Sequence, residues 1–329
     1  LRSKKIMMNS SQSVSAEKSK LRQAAAAGLR RGWRGYLWLM KIVLPVSAAV
    51  ALIDFSGWLY KIDGMLEPVL GLVGFSAAAA LPLLVGLLTG IYGALAAMAA
   101  LPLGPAEKTL IAIFLLISHN LLQEGIVQDR SGLSFWKATV FRLSASIVAV
   151  TVVSWILEPS AGGAAGAGNA ARPAFFDFAA AWAGSMAVLA AKMLAILLAL
   201  MVLLEILKAF GGIAVLVRWS SPVIRVLGLK REVGVLWLTA AVFGLSYGAA
   251  VIVAEAKTGR FSQPDLEALQ VSVGINHAMI EDPLLFMALG ISAVWLWLPR
   301  LAAALAAVYL LRGLRLAGRL CSQRPIFPS

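Results

Sequence analysis

Ile275-Asn276-His277-Ala278-Met279-Ile280-Glu281-Asp282-Pro283-Leu284-Leu285-Phe286 sets an imidazole, two carboxylates and a proline into a chain that is otherwise mostly apolar. His277 and Glu281 stand four apart, so they share one face of a helix. Asp282 suits an N-cap and Pro283 a first helical position, which predicts a helix that stops here and restarts at Leu284. Broken helices carrying ionisable groups are what carriers place near the bilayer midplane.

A weaker copy of the stretch lies 158 residues earlier. In that register His119 falls on His277, Ser118 on Asn276, Gln123 on Glu281, Glu124 on Asp282 and Gly125 on Pro283. Further on, Gly132 meets Gly290 and Arg142 meets Arg300. The chain has 2 His in 329 residues, and both occupy this one repeat position, which argues for an internal duplication.

With 60% hydrophobic and 14% charged residues and a mean hydropathy of +0.85, the chain is no soluble domain. Several apolar runs reach the ~20 residues needed to span a bilayer. The net charge of +13 would suggest nucleic acid in a soluble protein. Here the Lys and Arg cluster beside apolar runs, so topology and anionic headgroups account for them, and nucleic acid is not expected as a partner. The single Cys321 permits no intramolecular disulfide.

Residues 1–35 are polar and basic, with no apolar core or cleavage site of a signal peptide, and are expected to form a disordered or surface-lying cytoplasmic tail. The chain begins at Leu1, in keeping with a longer gene product. A first membrane repeat is expected over 36–157, with crossings at Tyr36–Ile53, Phe75–Ala100 and Ala138–Leu157, an interfacial piece over Asp54–Gly74 and the His119 segment at Thr109–Val127. Residues 158–180 form a linker whose Glu158–Asn169 part is rich in Gly and Ala. The second repeat, 181–311, crosses at Ala181–Lys208, Val233–Ala254 and Gly290–Leu311, with the His277 segment at Leu269–Phe286. Its Tyr247-Gly248-Ala249 answers Tyr92-Gly93-Ala94. Residues 312–329 are a basic tail.

Charge asymmetry puts both tails and the basic Gly211–Arg231 segment in the cytoplasm, and the near-neutral linker outside. That requires an odd number of crossings in each half, so the halves run in opposite senses. The expected fold class is therefore an all-α polytopic protein of the inner membrane, built of two inverted-topology repeats with broken or re-entrant helices.

The ionisable residues in apolar surroundings are the candidates for function. His119 and His277 suit a metal ligand, a proton relay or a hydrogen-bonding group for a substrate; the plainer reading is helix–helix hydrogen bonding. Glu124, Glu281 and Asp282 each need a partner, water or a cation at that depth, although capping alone would account for Asp282. Arg142 and Arg300 lie within apolar runs, where an Arg costs at least ~2.5–3.5 kcal/mol. They either snorkel to an interface or pair, with Glu124 and Asp282 as the expected partners. Gly125 and Pro283 are expected to mark the helix breaks. No Walker A sequence, dinucleotide fingerprint, structural zinc pattern or defensible catalytic triad is present, so neither a cofactor nor an enzyme activity is expected.

Ser118-His119-Asn120-Leu121-Leu122-Gln123-Glu124, together with the run from Asn276 to Gly290, resembles the motifs of the nucleoside recognition, or Gate-domain, membrane proteins. That superfamily includes segments of concentrative nucleoside transporters, ferrous-iron transporter B and the spore maturation proteins A and B. The resemblance covers roughly residues 36–311 as two repeats, and Gln123 and Gly125 make the first motif less acidic than the second. It implies a permease with a central site built from His119, Asn120, Gln123, Glu124, Asn276, His277, Glu281 and Asp282. A small polar solute, nucleoside-like or other, is the first cargo expected. A divalent-metal permease is the second, because His119, His277, Glu124, Glu281 and Asp282 could supply imidazole and carboxylate ligands. A membrane scaffold or intramembrane enzyme is the third. Membrane lipids are expected partners, and a homo-oligomer remains open.

Overall fold

A computed structural model describes residues 2–58, 65–68, 70–157, 174–256 and 258–322. Every regular element among them is helical. Helix α1 (Arg2–Phe55) leads to the short pair α2 (Ala80–Thr89) and α3 (Ile91–Ala100), then to α4 (Pro105–Ser118) and α5 (Leu121–Asp129). Helices α6 (Phe135–Leu157), α7 (Phe175–Ala209), α8 (Gly212–Val226) and α9 (Arg231–Ala256) follow. The chain closes with α10 (Gln263–Asn276), α11 (Glu281–Met287) and α12 (Ala293–Ser322).

Among the described residues, five helical stretches are long and apolar enough to cross a membrane: Ser15–Ser56, Pro105–Asp129, Phe135–Leu157, Phe175–Ala209 and Ala293–Ala317. The chain is thus a multi-pass helical membrane protein, and the crossings expected at Tyr36–Ile53, Ala138–Leu157, Ala181–Lys208 and Gly290–Leu311 fall in these helices, while two others are interrupted. Phe75–Ala100 is two ten-residue helices, because Gly90 takes φ 93 between them. The expected crossing Val233–Ala254 lies in α9, which kinks where Gly244 takes φ 72. Both conformations fall in the region that glycine enters without a Cβ penalty. An apolar run reads the same with or without such a break.

The basic segment 2–35 is also not a disordered tail, for it continues α1 without interruption. Gly28 and Gly32 explain its docking. A Cβ on Gly28 would meet the Val202 Cα at 2.5 Å, and one on Gly32 would meet the Leu197 carbonyl at 3.2 Å. The four-residue glycine spacing thus lets α1 lie backbone-close against α7, the device that packs helices where no hydrophobic force drives them together. Trp182 on α7 adds a hydrogen bond from Nε1 to the Ser47 Oγ, at 3.0 Å. At the other end, residues 312–322 extend α12 rather than forming a tail. There Arg315 pairs with Glu267 and Arg312 donates to the Gly228 carbonyl. The expected linker Glu158–Asn169 lies outside the described residues, as do the side chains of Tyr247 and its neighbours.

At the centre stand α4 and α10. Each starts with a proline in its first turn and an acid close behind, Glu107 or Asp265. Residues 109–118 and 268–276 are buried without exception, so these helices face protein on every side. At 14 residues each is only about 21 Å long, too short to cross a ~30 Å hydrocarbon core alone. Their C-terminal ends meet at the two histidines.

Candidate functional site

His119 and His277 are the C-cap residues of α4 and α10, each leaving helical geometry for an extended ψ, 159° and 165°. The next residues, Asn120 and Ala278, are the two non-glycine residues with positive φ among the described residues, 49° and 45°. The breaks therefore fall on His119–Asn120 and on residues 277–280. Gly125 lies inside α5 and Pro283 inside the first turn of α11, so neither marks a break. Proline tolerates a first helical turn because the amide it lacks would be unpaired there anyway. The helix restarts at Glu281, three residues before the expected Leu284.

Backbone freed at each break is satisfied by a neighbouring interrupted helix. Asn120 N donates to the Gly86 carbonyl at 2.9 Å, four residues before the Gly90 break. Ala278 N donates to the Ala240 carbonyl at 3.1 Å, four residues before the Gly244 kink. Irregular backbone at membrane depth survives only under such conditions.

The exposed carbonyls at the ends of α4 and α10 are taken by the arginines. Arg142 donates from Nε to the Ile117 carbonyl at 2.8 Å and from Nη2 to the His119 carbonyl at 2.7 Å. Arg300 does the same to Ile275 and His277, at 3.2 and 2.8 Å. A guanidinium there meets orphan acceptors and the negative end of the helix dipole together. That accounts for a fully buried cation in an apolar run, and it removes the snorkelling alternative, since Arg142 and Arg300 are 1% and 0% exposed. Arg142 also reaches Glu124 Oε2 at 2.7 Å. The expected Arg300–Asp282 contact is not formed: no carboxylate among the described residues lies within 4.0 Å of Arg300, whose partners are the two carbonyls.

The imidazoles face each other with Nε2 atoms 3.2 Å apart. Their Nδ1 atoms lie 2.8 Å from the Leu115 carbonyl and 3.1 Å from the Val273 carbonyl, each four residues back. Glu124 Oε1 is 3.1 Å from His119 Nε2 and 3.2 Å from His277 Nε2. Asp282 Oδ2 stands 4.0 Å from His119 Nε2. All four side chains are buried.

The other expected site residues lie close by in different roles. Glu281 accepts a hydrogen bond from the Tyr92 hydroxyl at 3.0 Å, joining α11 to α3. Asn120 Nδ2 donates to Gln123 Oε1 at 3.0 Å. Asn276 is fully buried, with both amide atoms unpartnered. A cavity of about 600 Å³ reaches the histidines from a more exposed end lined by Arg31, Glu205 and Lys208. Tyr92, Trp38 and that charged end also line the cavity, and nothing local in the sequence assigns Trp38 or the charged end to it. Tyr92 carries a signal in its repeated Tyr-Gly-Ala triplet, whereas Arg31 falls in the expected tail and Glu205 in an expected crossing.

An uncharacterized membrane protein of Bacillus subtilis (strain 168), YvoD, is similar to this chain. The two are 29% identical over 276 residues, which cover 82% of this chain and 87% of that one. No family model matches the chain, and neither does any solved structure. The similarity agrees with a membrane protein, and the helices make it a multi-pass one with a buried polar and charged cluster at its centre.

Proposed function

We propose that the protein is a permease of two inverted Gate-like halves, moving a small polar solute or cation through a site between His119 and His277. One observation carries this reading: a cavity of about 600 Å³ leads from charged, partly exposed residues to a buried imidazole pair. Ionisable groups at membrane depth that line a cavity are the usual mark of a substrate or ion path. The duplication is supported by the arginine caps, the positive-φ residues after each histidine and the paired Gly90 and Gly244 interruptions. The half-helices α4 and α10 ending at the site, with α5 and α11 restarting beyond it, fit the discontinuous helices of carriers.

In this reading both ends of the chain are cytoplasmic and Glu158–Asn169 is outside, as the Lys and Arg distribution requires. Single cysteines at Ser10 and Ser160 in a Cys321→Ser background should then label from opposite sides; labelling from one side would remove the inverted halves. The transport reading is tested by uptake into proteoliposomes. His277→Ala should abolish uptake of any solute the wild type moves, with folding nearly intact. Full uptake by His277→Ala would make the imidazoles packing groups. A wild type that moves no panel of small polar solutes or cations would favour the scaffold.

A further inference from the structure

We propose that His119, His277 and Glu124 form a binding site for a first-row divalent transition-metal ion, with Asp282 as the fourth group. The argument starts from the ring tautomers. A carbonyl oxygen can only accept, so the contacts to Leu115 and Val273 place the proton of each neutral imidazole on Nδ1. Each Nε2 then presents a lone pair. Glu124 Oε1, on a carboxylate whose other oxygen meets Arg142, presents a third.

Three lone-pair atoms thus converge with separations of 3.2, 3.1 and 3.2 Å. With both imidazoles neutral none can donate to another, so the arrangement is repulsive unless a proton or a metal ion sits among them. Ligand atoms around a first-row divalent ion with bonds of about 2.0–2.1 Å are separated by roughly 2.9 Å (octahedral) to 3.4 Å (tetrahedral). The triangle falls within that range. The distances of His119, His277 and Asp282 also allow a common ion, their ligand atoms all lying within 4.8 Å of one another.

The surroundings fit as well. A metal-bound imidazole characteristically donates its other N–H to a carbonyl or carboxylate, and a ligating carboxylate is itself held, here by Arg142. Arg142 meets Glu124 only at the outer oxygen, Oε2, and both guanidiniums otherwise bind carbonyls at the negative ends of α4 and α10, so neither donates to the two Nε2 atoms or to Oε1. Two imidazoles exclude Mg²⁺ and Ca²⁺, which take oxygen ligands, and favour ions such as Mn²⁺, Fe²⁺, Co²⁺ or Zn²⁺. The ion rests on the permease reading only if it is cargo; as a bound ion it needs the three side chains alone.

The test uses the full chain in detergent, stripped with chelator and titrated with Co²⁺. One Co²⁺ per chain is expected, with visible absorption of a nitrogen- and oxygen-ligated ion and displacement by Zn²⁺. His119→Gln and His277→Gln should each weaken Co²⁺ binding by about a hundredfold or more. Mg²⁺ should not compete. X-ray absorption on the wild-type Co²⁺ complex should show two imidazole ligands, a readout that needs no variant to fold. No bound Co²⁺ in the wild type, or unchanged binding in a folded His119→Gln/His277→Gln double variant, overturns the inference and leaves a proton as the centre. Uptake of radioactive Zn²⁺ or Mn²⁺ into proteoliposomes separates the two readings. Metal bound but not moved keeps the site and removes the carrier; a solute moved with no metal bound keeps the carrier and removes the site.

Discussion

The His119 and His277 regions share a backbone and differ in chemistry. In both, a buried half-helix ends at a histidine, an arginine 23 residues later caps its last carbonyls, and a positive-φ residue turns the chain. Around His119, Glu124 touches both imidazoles and Arg142, Asn120 holds Gln123, and Ser118 donates to Ser146 Oγ at 3.0 Å. Around His277, Asp282 stands back, Glu281 is turned to Tyr92, and Asn276 has no partner for its amide. Scaffold and chemistry are therefore separable. The arginine caps are demanded by the helix ends in either half, whereas one glutamate supplies the charge at the centre.

The arginines should show that asymmetry most strongly. Arg142→Met removes two caps and also leaves Glu124 without its buried ion pair, which should cost about 3–5 kcal/mol beyond the loss of the caps. Arg300→Met removes two caps only, at roughly 1–3 kcal/mol for each orphaned acceptor that finds no water. Reversible unfolding in mixed micelles checks the order; equal losses would mean that the Glu124 pair is energetically idle. A smaller contrast concerns the residues before the histidines. Ser118→Ala should cost about 1 kcal/mol for its hydrogen bond, while Asn276→Leu should be nearly neutral or stabilising, since an unpartnered buried amide is removed. Strong destabilisation by Asn276→Leu would reveal a partner for that amide.

Tyr92→Phe should cost about 0.5–1.5 kcal/mol by freeing Glu281, without altering Co²⁺ stoichiometry. A change in stoichiometry would bring Glu281 into the ligand set. The smallest effect lies outside the spans, at the start of α10. Burial raises the Asp265 carboxyl, but Lys230 at 2.7 Å and the Ser262 hydroxyl at 2.6 Å outweigh it and hold the group below its ordinary range. A depressed carboxyl contributes stability above its unfolded pKa, and that stability is lost as pH falls through about 4 and below. Because Lys230 is 63% exposed, the pair contributes less than about 1 kcal/mol. Lys230→Ala should flatten the acid limb of stability slightly; a large change would point to a wider network.

Much of this is legible in the sequence. Hydropathy alone gives the membrane class, and the 158-residue register gives the paired histidines and arginines. The sequence also marks the segments that break, although capping preferences put the breaks at Gly125 and Pro283 instead of at the histidines. Local rules describe which residue begins a helix well, but the end of α4 or α10 depends on a distant arginine taking its carbonyls. For the same reason the arginines could be recognised as anomalous but not partnered. A carboxylate is the obvious mate for a cation, and a helix terminus becomes visible only once the chain has folded.

The sequence by itself determined a chain too apolar for water, with apolar runs long enough to cross a bilayer and a duplicated polar motif within them. Those are properties of composition, window averages and spacing, and they survive any arrangement of the helices. The tertiary structure alone decided that Phe75–Ala100 and α9 are interrupted, that residues 2–35 continue α1 and that two imidazole Nε2 atoms and a carboxylate oxygen meet within 3.2 Å. A single glycine turned to positive φ leaves hydropathy unchanged. The His119 ring is held by the Leu115 carbonyl four residues back, but its facing partner, His277, is 158 residues away.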